Sequence, residues 1–330
     1  MRKVVVIGNG MVGYKFCERL RKKASSTEIE LVVFGEEFTP AYDRVHLSEY
    51  FENQSIDDLM MADRSWYEEK DISLRTGQLV TNIDTSDKTI TTYQGHKENY
   101  DILVLATGSR PMVPPIEGTE KDGVFVYRTI EDLEGIIDYG KQIKSGAILG
   151  GGLLGLEAAK ALLDMGLEAH VIEFASRLMP RQLDERGSEV LKNKIEALGI
   201  KVHLNKNTRQ IEGNGSLTGL QFVEDQLKTD MLVISCGIVP RDELAKSCGL
   251  KTHERGGVIV NDLMETSEDS IYAIGEAACH NNTIYGLVAP GYEMADVVID
   301  QLLGTQEKSF KGNDMSTKLK LIGVDVASFG

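Results

Sequence analysis

Short apolar runs alternate along the chain with segments of helical periodicity. The first run is Val4–Ile7, and it leads through a glycine-rich turn into helical spacing over Tyr14–Leu20. A short run of β-branched residues is typical of a strand in a parallel sheet that is covered on both faces. Strand, glycine turn and helix in this order predict a βαβ unit, with its second strand at Ile29–Phe34.

The same pattern returns in the middle of the chain. Ala147–Leu149 leads into a second glycine turn, a helix that reaches Met165 and a strand at Ala169–Ile172. Further apolar runs at Asp101–Leu105 and Met231–Ser235 end in turn residues and complete the two repeats. Two βαβ patterns in one chain predict an α/β protein with two Rossmann-like dinucleotide-binding domains.

A different pattern follows the first βαβ unit. Residues 57–70 predict short helices, and alternating residues then predict strands at Ile72–Gly77, Leu79–Ile83 and Thr89–Tyr93. We expect these three strands to form one small antiparallel layer.

Each glycine turn has the spacing that cradles a pyrophosphate. The first contains Gly8, Gly10 and Gly13, and the second contains Gly150, Gly152, Leu153, Leu154 and Gly155. In this spacing one glycine allows the tight turn, the next lets the backbone approach the phosphates, and the third lets the helix pack closely on the strand. The helix N-terminus supplies N–H groups and a favourable dipole for the anion.

An acidic residue follows the second strand of each repeat, where it can bind ribose hydroxyls. Glu36 lies just beyond the first such strand, with Glu37 as the alternative, and Glu173 ends the second. A carboxylate at Glu173 accepts hydrogen bonds from the ribose diol and repels a 2′-phosphate. We therefore expect NADH rather than NADPH in the second repeat, although Arg177 nearby partly offsets this preference.

Composition and charge exclude several classes of function. The 330 residues are 42% hydrophobic and carry a formal net charge of −15. This acidic balance argues against nucleic acid as a partner, and no apolar run approaches the ~20 residues that span a membrane. The N-terminus lacks the pattern of a secretion signal. The four cysteines have neither CxxC nor metal-ligand spacing, so we expect a cytoplasmic protein without a metal site.

Five spaced motifs resemble those of the flavoproteins that bind two dinucleotides and share a glutathione-reductase-like fold. In chain order they are the first glycine turn, the Ala106-Thr107-Gly108 turn, the second glycine turn with Glu157, the Gly237 turn, and the Gly275-Glu276 pair. The resemblance implies FAD in a discontinuous domain of residues 1–112 and 241–316. It implies NADH in a domain of residues 113–240 that is inserted into the first.

The same resemblance implies roles for individual residues. Glu157 is implied to lie near the nicotinamide as the catalytic residue, with Gly150, Gly152, Leu153, Leu154, Gly155, Glu173 and Gly237 around NAD. The residues implied to line FAD are Gly8, Gly10, Gly13, Glu36, Glu37, Arg44, Val80, Ala106, Thr107, Gly108, Arg110, Arg128, Gly275, Glu276 and Leu287.

Several longer stretches narrow the resemblance to the N-terminal part of the large subunit of bacterial NAD(P)H-dependent nitrite reductases. They are Tyr42–Ser48, Tyr127–Leu133, Leu178–Asp184, Gly286–Tyr292 and Lys318–Val326. In that family, which serves nitrate assimilation, the flavin module passes electrons to iron–sulfur and sirohaem domains further along the chain. No cysteine set for such centres follows here. Residues 317–330 are therefore expected to begin a truncated C-terminal domain, and the chain alone is not expected to reduce nitrite.

Other functions stay open at this point. One is a stand-alone NADH-dependent rubredoxin or ferredoxin reductase that serves a small electron carrier. Another is a nucleotide-binding redox sensor without useful turnover, because fold alone does not establish function. A cysteine-type peroxidase or oxidase is disfavoured, since Ala41–Ser48 contains no cysteine. A homodimer is a further open alternative.

Overall fold

A computed structural model describes residues 1–53, 55–305, 307–313, 317–321 and 324–328. The described helices are α1 (Met11–Arg21), α2 (Tyr50–Asn53), α3 (Arg64–Glu69), α4 (Ile130–Gly140), α5 (Leu153–Asp164), α6 (Glu185–Ala197), α7 (Glu243–Ser247) and α8 (Val288–Leu303). Short 3₁₀ turns lie at Arg44–Glu49 and Gly275–Ala277.

The described strands are mostly short. In chain order they are β1 (Arg2–Ile7), β2 (Ile29–Phe34), β3 (Ile72–Arg75), β4 (Val80–Asp84), β5 (Thr89–Thr92), β6 (Lys97–Asn99), β7 (Ile102–Leu105), β8 (Ser109–Pro111), β9 (Val124–Val126), β10 (Ser145–Leu149), β11 (Glu168–Ile172), β12 (Lys201–His203), β13 (Gln210–Glu212), β14 (Gly219–Gln221), β15 (Gln226–Lys228), β16 (Met231–Ile234), β17 (Ile238–Pro240), β18 (Val258–Val260), β19 (Ile271–Ala273), β20 (Ala278–His280), β21 (Thr283–Ile284), β22 (Thr317–Leu321) and β23 (Val324–Ser328).

The chain folds into two compact units, and each is built from separate segments. The first unit comprises Met1–Asp43, Asp57–Arg110 and Val239–Asp314, and the second comprises Arg44–Ile56, Pro111–Ile238 and Met315–Gly330. Segment 44–56 therefore packs within the second unit, although its neighbours in sequence belong to the first. Strands β8 and β17, along which the chain leaves and re-enters the first unit, pair with each other.

The first unit is built on a five-stranded parallel sheet in the order β19-β7-β1-β2-β3. Central strand β1 is buried on both faces, and Val4, Val5 and Val6 expose no surface. Helix α1 turns Phe16, Cys17 and Leu20 toward the same core, because these residues recur at helical spacing. This arrangement explains why the strand reads as a continuous apolar run.

The second unit repeats this plan with a parallel sheet in the order β12-β11-β10-β16-β9. Strand β10 has the central place that β1 has in the first unit, and β11 follows it through helix α5 as β2 follows β1 through α1. The carboxyl ends of β1 and β2 lie side by side next to the first glycine turn, and those of β10 and β11 lie side by side next to the second. The glycine turns in which the sequence predicts dinucleotide sites lie at these two edges.

One expected strand position is wrong. The alternation of residues predicts that Ile72–Gly77 belongs to the antiparallel layer. In the structure, Ile72–Arg75 forms β3, which pairs in parallel with β2 at the edge of the main sheet. The antiparallel layer consists of β4, β5 and β6. An edge strand exposed on one side carries the same alternation as a strand of a small antiparallel layer, so the periodicity did not separate the two.

The remaining described strands form small sheets in each unit. Strands β18, β20 and β21 belong to the first unit, and antiparallel β13, β14 and β15 belong to the second. Strands β22 and β23 form an antiparallel hairpin that lies beside α5 and α6. Positions 322, 323, 329 and 330 of the expected C-terminal segment lie outside the described residues, and the assignment of a truncated domain stays a prediction. Among the described helices, none is long and apolar enough to cross a membrane.

A histidine pair joins two neighbouring strands of the second unit. Nδ1 of His170 on β11 lies 3.0 Å from Nε2 of His203 on β12, and the two rings stack. Glu168 contacts His170 at 3.2 Å and also pairs with Lys201, while Lys206 and Asp225 carry the other charges that act on His203. Burial lowers the pKa of both imidazoles, and the charge of a protonated His170 lowers the pKa of His203 further.

We expect the thermal stability of this protein to fall as the pH drops below about 6.5. The unfolded histidines then bind protons that the folded pair resists, and one such group adds at most about 1.4 kcal/mol per pH unit to the slope. Substituting His203→Gln removes one titrating ring and should flatten the dependence of Tm on pH between 8 and 5. The matched control is His96→Gln, in an exposed position. Equal slopes for both variants would contradict the prediction.

Candidate functional site

The first glycine turn holds strand and helix in backbone contact. Gly8 has a φ of +113°, and a Cβ at this position would overlap the carbonyl oxygen of Ala106 at the end of β7. A Cβ on Gly13 would overlap the carbonyl oxygen of Gly8. Gly10 differs, because a Cβ there would have no atom within 4 Å. Gly8 and Gly13 therefore serve packing, whereas Gly10 borders open space that a ligand can fill.

The second glycine turn repeats these three relations. Gly150 has a φ of +120° and approaches the carbonyl of Ser235 at the end of β16, and Gly155 approaches the carbonyl of Gly150. Gly152 again borders open space. No side chain caps α1 or α5, so their first N–H groups point at these openings without a side-chain acceptor. Both turns thus offer the helix N-terminus to an anion. Leu153 and Leu154, half-buried, begin helix α5.

Glu173 is fixed against the second turn by two backbone hydrogen bonds. Its Oε2 accepts from the N–H of Gly151 at 2.7 Å, and its Oε1 accepts from the N–H of Ala175 at 2.7 Å. These bonds hold the carboxylate at the carboxyl end of β11. A carboxylate has about four lone-pair positions, so further acceptor capacity is left for a ribose diol.

The two acidic residues after β2 have different partners. Both carboxylate oxygens of Glu36 are bound by the guanidinium of Arg241, with 2.7 Å between Nη2 and Oε2. Glu37 accepts a hydrogen bond from the hydroxyl of Tyr42 at 2.7 Å. The sequence motifs do not include Arg241. No local pattern pairs it with Glu36, because the two positions are 205 residues apart.

The turn after β7 is tied to the chain where it re-enters the first unit. Thr107 Oγ1 donates to the carbonyl oxygen of Arg241 at 2.7 Å, and the N–H of Arg241 donates to the carbonyl oxygen of Gly108 at 2.9 Å. Ser109 donates to Oε2 of Glu276 at 2.7 Å, which brings the late glycine–acid pair to the same edge of the sheet.

Four further residues expected around FAD lie in the first unit. Gly275 packs on Val12 of α1, where an added Cβ would lie 3.2 Å from a side-chain carbon. Buried Val80 begins β4, and Leu287 is the N-cap residue of α8. Arg110 pairs with Glu243 at 3.3 Å on the exposed surface.

Arg44, Arg128, Glu157 and Gly237 lie in the second unit. Arg44 donates from Nη1 to the carbonyl oxygen of Arg128 at 2.8 Å, next to the capping box that begins α4. Glu157 is half-buried on α5, and its charge acts on buried Tyr127, whose pKa is raised mainly by burial and further by that charge. Gly237 follows β16. The sequence grouped Arg44 and Arg128 with the FAD residues, and the structure places both in the unit that contains the second glycine turn.

The residues present fit two dinucleotides. Each turn has an open glycine, an uncapped helix N-terminus and a carboxylate at the end of the following strand. In the first turn, Asn9 accepts from the Tyr67 hydroxyl at 2.9 Å, while its buried Nδ2 has no hydrogen-bond partner among the described residues. A buried amide donor without a partner costs roughly 1–3 kcal/mol, and a ligand acceptor at this turn would remove that cost.

Paired alanine substitutions should separate packing from binding at the first turn. Gly13→Ala should lower Tm, since overpacking against backbone costs roughly 1–3 kcal/mol. Gly10→Ala should leave the Tm of the apoprotein within about one degree, because its φ of −82° suits alanine and space is open. The same Gly10→Ala change should weaken FAD binding, measured by quenching of flavin fluorescence, about tenfold or more. Unchanged FAD affinity in Gly10→Ala would show that the open space beside Gly10 does not hold the pyrophosphate.

Comparison with known proteins places the chain among flavin- and nicotinamide-dependent enzymes. It is 47% identical over 331 residues to the NADH nitrite reductase large subunit of Escherichia coli K12, which covers 99% of this chain and 39% of that relative. NADH-rubredoxin oxidoreductase of Clostridium acetobutylicum is 29% identical over 99% of this chain and 81% of its own length. The solved NAD-dependent persulfide reductase from A. fulgidus has a TM-score of 0.93 at 29% identity, covering 99% of this chain and 64% of that one.

These findings confirm the expected two-Rossmann α/β fold, the oxidoreductase class, FAD and NADH as cofactors, and the resemblance to nitrite reductase large subunits. The chain spans about two fifths of the length of those nitrite reductases. Residues 2–301 match the family described as pyridine nucleotide-disulphide oxidoreductase. Because that match covers most of the chain, this protein belongs to the pyridine nucleotide-disulphide oxidoreductase family.

Proposed function

We propose that this chain is a flavin module that takes hydride from NADH and passes electrons to a separate redox centre. One observation carries the proposal: the two glycine turns share the same packing contacts and the same open glycine, at Gly10 and at Gly152. A chain with two such cradles can bind an electron donor and a redox cofactor at the same time. The function class is that of the NADH-dependent relatives.

In this proposal FAD binds the domain of residues 1–112 and 241–316, and NADH binds the inserted domain of residues 113–240. FAD held there would supply the redox chemistry, namely acceptance of hydride from NADH and release of single electrons. The chain binds and orients both molecules. The first N–H groups of α1 and α5 hold the pyrophosphates, and Glu36 and Glu173 hold adenosine riboses. Glu157 lies near the nicotinamide as the catalytic residue, which is the role that the family resemblance implies.

The thiols of this chain are poor candidates for the electron acceptor. All four described cysteines are free, and burial raises the pKa of Cys17 to about 12 and that of Cys236 to about 11. Burial also raises the pKa of Cys248 and Cys279. A thiol, unlike a thiolate, is a weak nucleophile, so these groups do not form a reactive pair near neutral pH. Electrons therefore leave the flavin for a centre outside the described residues.

We propose that the electron acceptor is formed by the iron–sulfur and sirohaem domains of a longer nitrite reductase. Such an enzyme would serve nitrate assimilation. The 47% identity to the Escherichia coli large subunit and the extra length of that relative support this proposal. The second candidate is a stand-alone rubredoxin or ferredoxin reductase. It is favoured by the match to a rubredoxin reductase over 81% of that enzyme's length. A cytoplasmic location and a homodimer stay predictions.

An anaerobic absorbance titration tests the cofactors. The protein loaded with FAD should lose its flavin bands on addition of NADH, and a much higher concentration of NADPH should be needed. The reason is that the Glu173 carboxylate, held by two N–H groups, repels a 2′-phosphate. Glu173→Gln should narrow the preference for NADH. A flavin that binds but is not bleached by NADH would favour the redox-sensor alternative over an enzyme.

Acceptor assays distinguish the two candidate enzymes. The chain with FAD and NADH should reduce ferricyanide, because a small dye needs no docking partner. It should not reduce nitrite. Adding rubredoxin or a ferredoxin should leave NADH consumption at the background rate if the electrons are meant for covalently attached domains. A large, saturable acceleration by either carrier would instead support the stand-alone reductase.

A further inference from the structure

Arg241 joins three parts of the first unit at the edge where the FAD site is proposed. Its N–H donates to the carbonyl oxygen of Gly108 and its own carbonyl accepts from Thr107, so its backbone is clamped to the turn after β7. Its side chain reaches the end of β2 and binds Glu36. An arginine anchored at both its backbone and its side chain has little freedom to leave this position.

The contact with Glu36 has the geometry of a bidentate pair. Nη1 binds Oε1 and Nη2 binds Oε2, which is the two-point match of a guanidinium fork with a carboxylate. This match sets the plane of the carboxylate as well as its position. It uses two of the roughly four lone-pair positions and leaves the others to accept from a ribose diol.

The Arg241 guanidinium lies among acidic residues. Glu36, Glu37 and Glu243 all raise the pKa of its guanidinium, with the Glu36 hydrogen bond first, against the opposing effect of burial. A dinucleotide brings a doubly charged pyrophosphate toward the same strand ends. Arg110 already pairs with Glu243, and without the Arg241 guanidinium the carboxylates of Glu36 and Glu37 would repel that anion.

We infer that Arg241 is a positioning residue for flavin binding, which orients the Glu36 carboxylate toward the adenosine ribose and offsets the acidic charge around it. The inference rests on the proposed FAD site and adds a residue that the sequence motifs do not identify. Arg241 acts through Glu36, so the two side chains should depend on each other when FAD binds. Arg241 should contribute much less to the stability of the fold than to FAD affinity. The pair is about one third exposed, and ion pairs of that exposure contribute about 0–1 kcal/mol to stability.

The test is a double-mutant cycle on FAD affinity. The whole chain is stripped of flavin and titrated with FAD, and binding is followed by quenching of flavin fluorescence, with Tm of each apoprotein measured in parallel. We expect Arg241→Gln to weaken FAD binding about tenfold or more. Adding Glu36→Gln to Arg241→Gln should cost much less than Glu36→Gln costs in the wild type. Arg241→Lys should restore only part of the affinity, because an ammonium keeps the charge but not the fork.

Arg19→Gln is the matched control. Arg19 pairs with Asp296 at 2.9 Å in the same unit with similar exposure, near the end of α1 that is remote from the glycine turn. The Arg19→Gln substitution should leave FAD affinity unchanged. Wild-type protein that binds no FAD would overturn the proposed function itself. Wild-type binding with an Arg241→Gln affinity within twofold, additive substitutions, or a drop in Tm that accounts for the lost affinity would overturn the inference alone.

Discussion

The close approach of a helix to the strand before it is the constraint on which each unit depends. The carbonyl oxygen of Gly8 occupies the place that a side chain of residue 13 would need, and Gly150 and Gly155 repeat this contact. Because strand and helix touch through their backbones, the first N–H groups of the helix lie at the carboxyl edge of the sheet. A larger residue in place of Gly13 or Gly155 would push the helix away from the preceding turn and disrupt this packing.

The acidic residues around these turns are held rather than free to move. Glu173 accepts two backbone N–H groups, whereas Glu36 is bound by an arginine from a distant part of the chain. The two units therefore hold the corresponding carboxylate by different contacts. A local turn fixes the carboxylate in the second unit, and the segment that re-enters the first unit fixes it there. Arg241 reaches Glu36 because a later segment of the chain returns to the first unit.

The sequence predicted the site better where the chemistry is local. Within each repeat, the apolar strand, the turn glycines and the acid after the next strand lie close together in sequence, and periodicity with glycine spacing identifies them. It failed at β3, because a half-exposed edge strand has the same alternation as an antiparallel strand. Arg44 stays a predicted FAD residue, and the segment 44–56 that contains it packs in the second unit.

The sequence by itself determined the fold class and the two glycine turns, because these depend on short-range spacing and on side-chain size, and the family resemblance of its motifs implied FAD and NADH. Only the tertiary structure decided which strands share a sheet edge, which unit holds segment 44–56, and which cation faces Glu36. Such pairings join residues far apart in the chain. Their free energy comes from packing and charge in the folded protein, and no local pattern records them.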